Sequence, residues 1–212
     1  MPKEFPLGIK IGLDFTISMI YEHRAYHDAV EQAISEKINW RLNAIQKRAN
    51  ELPVSEQMEF IELNYPYRWA LSFPQALRAH VIVGALSFLE LQIINVCENI
   101  AQETMREFQR PSSDKLEYCM RFLCSLGVER PVESTWNKVK LCQKLRNSLI
   151  HNGLDLNTEK GEKVEEYVHE INGILKDDEH GYILERTACD DVLQTVENVL
   201  KEIRESTAKK WP

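Results

Sequence analysis

The sequence predicts an all-α helical bundle with a short β-hairpin inserted before its last helix, and three observations carry that expectation. Apolar residues recur at spacings of three and four through most of the 212 residues, the period of a helix with one buried face. Glycine and proline number only 8 each, and most fall between the periodic segments rather than inside them. One window alone changes period: from Ile171 to Glu185, two short β-prone runs flank Asp177-Asp178-Glu179-His180-Gly181, a turn-forming cluster.

The elements follow in order within a single domain, residues 1–212. Residues 14–52 contain neither Pro nor Gly, and Ile17, Ile20, Ala25, Val30, Ile34, Ile38, Leu42 and Ile45 line one face, predicting a long amphipathic N-terminal helix. Pro53, Pro66 and Pro74 punctuate the next stretch, which holds a short helix at Ser55–Leu63 and a turn at Tyr65-Pro66-Tyr67. Gln75–Glu103 is apolar almost all the way round, so it is expected to be buried on every side, within the bundle or partly at a subunit contact. It opens a set of core helices over 75–153. Pro111-Ser112-Ser113-Asp114 breaks the chain and supplies an N-cap for a helix to Leu126, ended by Gly127. After Pro131, Ser134 is expected to cap a helix reaching His151 and stopped by Asn152-Gly153. A polar loop over 152–166, a hairpin within 167–186 and a final helix over 189–205 complete the chain, with Lys209-Lys210 as a frayed, solvated end.

Composition narrows the function classes. Scarce glycine, with no GxGxxG and no GxxxxGK[ST], argues against a phosphate-cradling loop. The opening residues do not read as a secretory leader, and the longest uninterrupted apolar run, Val81–Leu89, is half of what a membrane span needs. The expectation is a cytoplasmic protein without membrane contact. Five cysteines, with no CxxC pair, are expected to be reduced and buried rather than zinc ligands. A net charge of -7 argues against a generally basic nucleic-acid binder, but residues 106–151 carry 9 Lys/Arg against 5 Asp/Glu. Either side of that segment the balance is acidic.

Within the basic segment lies Lys138–Gly153, KVKLCQKLRNSLIHNG. At about 100° per residue, Lys140, Lys144, Asn147 and His151 share one polar stripe, Val139, Cys142, Leu145 and Leu149 form the opposite apolar face, and Arg146 lies nearer the apolar side. The stripe ends at a helix C-terminus, where the dipole favours a protonated imidazole, and histidine is the side chain best suited to trade protons near neutral pH. The guanidinium of Arg146 is a forked donor matched to phosphate oxygens.

Arg146, four residues, then His151, with Asn147 after the arginine and an Asn-Gly exit, resembles the motif of HEPN (higher eukaryotes and prokaryotes nucleotide-binding) domains. The upstream phrase FPQALRAHVIVGALSFLE, carrying Arg78 and Glu90, is similar to that family's preceding core helix. The resemblance spans roughly residues 70–155 and implies a helical bundle of HEPN type. It further implies a metal-independent endoribonuclease without cofactor, working on RNA as a homodimer whose motif helices form one composite cleft and leaving 2′,3′-cyclic phosphate ends. By the same resemblance Arg146, His151 and Asn147 are the catalytic residues, with Lys140, Lys144 and Asn152 lining the cleft and Glu90 a supporting carboxylate. Family members are often toxins of toxin–antitoxin or phage-defence systems, some paired with an antitoxin or a nucleotidyltransferase-type protein.

Plainer readings stand beside these. A buried Arg146–Glu90 pair that fixes bundle geometry accounts for both residues without catalysis, and a non-catalytic nucleotide-binding, RNA-binding or scaffold protein on the same fold suits the acidic net charge. His23, His27 and Glu31, four apart on one helix, are either surface residues or ligands of a metal. Arg68-Trp69 with Tyr65 and Tyr67 either offers a stacking surface for bases or packs against the bundle.

Overall fold

A computed structural model describes residues 7–152, 156, 164–165, 167–178 and 180–211. Among the described residues, six α-helices and one hairpin run in the order α1 (Leu7–Ala49), α2 (Val54–Asn64), α3 (Phe73–Thr104), α4 (Lys115–Ser125), α5 (Glu133–His151), β1 (Ile174–Asp177), β2 (Gly181–Leu184) and α6 (Arg186–Lys210). The chain is thus mostly helical, as the spacing of its apolar residues requires. A π-helical turn at Arg68–Ser72 leads directly into α3, and a 3-10 turn at Val168–Glu170 precedes the hairpin.

The core sits where α3 and α6 pack on each other, with α1 against both, α5 against both, and α4 against α3. α6 is sharply amphipathic: Ala188, Val192, Val196, Val199, Leu200 and Ile203 are buried, with Thr195, Glu197, Ser206 and Thr207 the polar residues that join them inside. Each fully buried Val, Leu or Ile side chain contributes about 1.5–3 kcal/mol over its exposed state, so this stripe is enough to hold the helix. α1 spans 43 residues, about 65 Å at the usual helical rise. Its N-terminal part seals Leu13, Thr16, Ile20 and His27 into the bundle; from Asp28 to Arg48 no residue is fully buried, and only Ala49 closes the far end. Ile34, Ile38, Leu42 and Ile45 are half-buried there, because α2, which has no buried residue, covers them only in part.

β1 and β2 pair antiparallel, with Ile174 opposite Leu184 and Asp177 opposite Gly181. The hairpin is clamped to α3: the Gln75 side chain accepts from the Leu184 N–H at 2.8 Å and donates to its carbonyl at 2.9 Å, and Arg78 Nη1 donates to the same carbonyl at 2.8 Å.

Several sequence expectations are corrected. α1 begins at Leu7, not residue 14, and ends at Ala49; Gly12 lies inside it with open space beside its Cα. α6 runs Arg186–Lys210 rather than 189–205, so Lys209-Lys210 is helical, and the buried Trp211 pins the end. Ser134 does not cap α5, which starts at Glu133 after Val132, and Asp114 precedes α4 in a left-handed conformation (φ 43°) without a side-chain cap bond. α3 is not enclosed on every side by its own bundle, since Leu91 stands 49% exposed; of the two expected settings, burial wholly within one chain falls and a partial subunit contact stays an expectation. All five cysteines are free and four are buried, but Cys124 is exposed because it lies on the outer face of α4. The uninterrupted-run criterion understates α3: Arg68–Thr104 contains an 18-residue window of mean hydropathy 1.6, long and apolar enough to cross a membrane, with half of that window buried inside the bundle. The expected helix stop at Gly153 and most of the 152–166 loop fall outside the described residues.

Candidate functional site at the end of α5

α5 turns Trp136, Val139, Cys142, Leu145 and Leu149 into the core at steps of three and four. That choice of buried face leaves Lys140, Lys144, Asn147 and His151 exposed along the opposite side, the stripe expected from spacing. The helix closes with the Asn152 N–H donating to the Ser148 carbonyl at 3.0 Å, so His151 occupies the last helical turn and Asn152 the cap.

Arg146 lies between the two faces. Its side chain is 15% exposed and reaches across to Glu90 of α3, whose carboxylate is 7% exposed: Nη2 donates to Oε1 at 2.5 Å and Nη1 to Oε2 at 3.4 Å. Gln143, one turn back on α5, donates to Glu90 Oε1 at 3.3 Å, and Lys115 Nζ at the start of α4 stands 3.6 Å from Oε2. A carboxylate buried in an apolar helix thus gathers donors from two neighbouring helices, which is what a buried charge requires. The Arg146 Nε is buried without a partner.

The stripe itself divides in two. Lys140 Nζ sits 3.5 Å from Glu117 Oε2 of α4 and 5.8 Å from the Trp136 ring centroid, beside the bidentate Arg130–Glu117 pair. Arg130 is the main reason the Glu117 carboxyl is held below its usual range. Lys144 instead lies 6.0 Å above the ring of Tyr167, whose hydroxyl shares a 2.6 Å hydrogen bond with Ser148. Burial pushes the Tyr167 phenol upward, so that hydroxyl stays protonated at neutral pH. Asn147 and His151 are exposed and make no hydrogen bond or ion pair to a described residue.

The structure therefore brings Glu90 to Arg146 and leaves Lys144, Asn147, His151 and Asn152 at the open end of α5, while Lys140 is drawn toward α4. Sequence reading missed Gln143, Lys115, Ser148 and Tyr167. Gln143 was legible in principle, three residues before Arg146 and hence on the same flank; the other contacts depend on how α4 and the segment before β1 return to α5.

The remaining candidates resolve as follows. His27 Nε2 lies 3.5 Å from Glu31 Oε1, but His23 turns to the Phe88 ring edge, centroids 5.4 Å apart, so the three do not converge. Tyr65 and Tyr67 meet edge to face at 4.8 Å, Trp69 meets Phe73 at 4.9 Å, and the Arg41 guanidinium lies 5.6 Å from the Trp69 centroid. These aromatics largely pack on one another, with Tyr67 60% exposed. No protein-family model, curated protein or solved structure matches the chain.

Proposed function

We propose that this chain is a HEPN-like, metal-independent endoribonuclease of the cytoplasm, acting as a homodimer that sets two α5 ends side by side over one RNA strand. The observation that carries the reading is the end of α5, where an exposed imidazole and amide occupy the last turn and Arg146, one turn earlier, is held by a buried carboxylate. His151 takes the proton of a ribose 2′-hydroxyl, the 2′-oxygen attacks the adjacent phosphorus, and the 5′-oxygen leaves with a proton from the partner's imidazole. The products are a 2′,3′-cyclic phosphate and a free 5′-hydroxyl. Lys144, Asn147 and Asn152 line the approach of the strand, Lys140 adds positive potential at its edge, and Arg146 stabilises charge growing on the phosphate by swinging from Glu90 toward it. A role as a toxin or phage-defence component, restrained by an antitoxin or nucleotidyltransferase-type partner, follows the same resemblance.

One observation favours a second reading, a non-catalytic nucleotide-binding, RNA-binding or scaffold protein on this fold. Both terminal nitrogens of Arg146 are already engaged by Glu90, so the pair is complete without a ligand. The experiment that separates the two incubates the full chain with a mixed RNA pool in EDTA, alongside His151→Ala and Arg146→Ala, with folding checked by circular dichroism. Cleavage to cyclic phosphate ends, lost in His151→Ala, is the expected outcome. Intact RNA with folded, dimeric wild type transfers the assignment to the binding protein.

A further inference from the structure

Near the point where α1 leaves the bundle, its helix brings an imidazole into a nest of charge. The His27 ring is fully buried, and neither nitrogen has a hydrogen-bond partner. Its Nε2 faces Glu31 at 3.5 Å and its Nδ1 faces Asp28 at 3.9 Å. Asp190, in the second turn of α6, closes the group: one ligand-capable atom each from His27, Asp28 and Asp190 lies within 4.8 Å of the others.

We propose that His27, Asp28 and Asp190 bind one divalent first-row transition-metal ion that fastens α1 to α6. Three features point there. The first is the imidazole itself, since a buried ring nitrogen with no hydrogen-bond partner is costly unless something else engages its lone pair. The second is the far side of the ring. Metal-bound histidines turn their other nitrogen to a carboxylate, and here Glu31 occupies that place, itself fixed by Arg78 through Nε to Oε1 at 2.6 Å and Nη2 to Oε2 at 2.9 Å. The third is charge. Arg78 serves Glu31, and Arg186 Nη2 serves Asp28 Oδ1 at 2.7 Å, but Asp190 makes no ion pair or hydrogen bond with a described residue, which leaves the nest one negative charge in surplus.

One nitrogen and two carboxylate oxygens form a borderline-hard donor set suited to ions such as Zn2+ and Mn2+. The neighbouring Cys189 is not part of it, because its Sγ points to the Arg78 carbonyl at 3.6 Å. Bonds of about 2.1 Å bring tetrahedral donors to roughly 3.4 Å of one another. Asp28 and Asp190 are both partly exposed and can close that gap by side-chain rotation, Asp28 offering the oxygen that Arg186 does not hold. This ion would share no residue with the α5 cluster, so its presence is independent of how RNA is treated there.

The test strips the untagged full chain with EDTA, removes the chelator, and titrates ZnCl2 and MnCl2 separately by calorimetry, with thermal unfolding followed in parallel. One ion per chain and a rise of Tm with metal concentration are expected, both lost in Asp190→Asn and Asp28→Asn at concentrations that saturate the wild type. Those two positions are partly exposed, so both variants keep the fold, while His27→Gln tests the buried ligand. His80→Ala controls for the other histidine beside His23 and Tyr26. Absence of saturable binding in the folded chain, binding undiminished by Asp190→Asn, or loss of binding in His80→Ala overturns the site.

Discussion

Glu90 and Arg146 set the energetic scale for single residues in this protein. Removing one member of a buried ion pair leaves the other charge unsolvated, whereas truncating an exposed side chain changes little. Arg146→Ala is therefore expected to lower unfolding free energy by about 3–5 kcal/mol, and His151→Ala by no more than about 0.5 kcal/mol, both read by urea denaturation. Equal losses in the two variants would mean that Glu90 does not depend on Arg146. The contrast also protects the cleavage assay, since inactivity of His151→Ala cannot then be blamed on unfolding. Glu197 of α6 offers a second case. Burial raises its carboxyl, but Lys201 at 2.5 Å, the Tyr21 hydroxyl at 2.8 Å and Arg24 at 3.4 Å outweigh that and leave it lowered from its usual 4.5. A carboxyl lowered in the folded state contributes stability that is present above its unfolded value and fades as pH falls through the folded one. Stability is thus expected to drop on acidification below about pH 4.5, and Glu197→Gln to flatten that part of the profile while lowering stability at pH 7.

At the scale of elements, the hairpin depends on one backbone position. Gly173, just before β1, has φ +79°, and a Cβ there would stand 2.2 Å from Thr187 Oγ1 and 2.3 Å from the Ala188 N. Gly173→Ala is expected to cost at least about 1–3 kcal/mol through the left-handed backbone alone, and to displace the first turn of α6. Amide chemical shifts of residues 186–190 that matched the wild type would contradict this. In α6 itself, Leu200→Ala empties a fully buried site and should cost about 2–5 kcal/mol. The helices were legible because their periodicity reflects burial: Val139, Cys142, Leu145 and Leu149 read as the inner face of α5 and are the inner face. Their ends were less so, since Gly12 sits inside α1 with open space beside it, and α6 runs on to the buried Trp211, whose burial no local spacing announces. The exposed half of the candidate site was readable from the same stripe. Of its inner part, the Arg146–Glu90 pair was readable, but Lys115 and Tyr167 were not, because they arrive through tertiary returns that no local spacing encodes.

For the molecule as a whole, the acidic total and the basic middle make salt the informative variable. If RNA follows the α5 end, Lys144→Ala should reduce the slope of log affinity against log salt by about 0.7 on single-stranded RNA, measured by fluorescence anisotropy; an unchanged slope would place the strand elsewhere. The long first helix has a different bearing. Between Asp28 and Arg48 it carries no fully buried residue, and α2 beside it has none. A helical pair with so little burial is expected to open more readily than the core, so its amides should exchange with deuterium through local fluctuations while those of α3 and α6 wait for global unfolding. That outcome would divide the chain into two cooperative units of unequal stability, with His27 at their border.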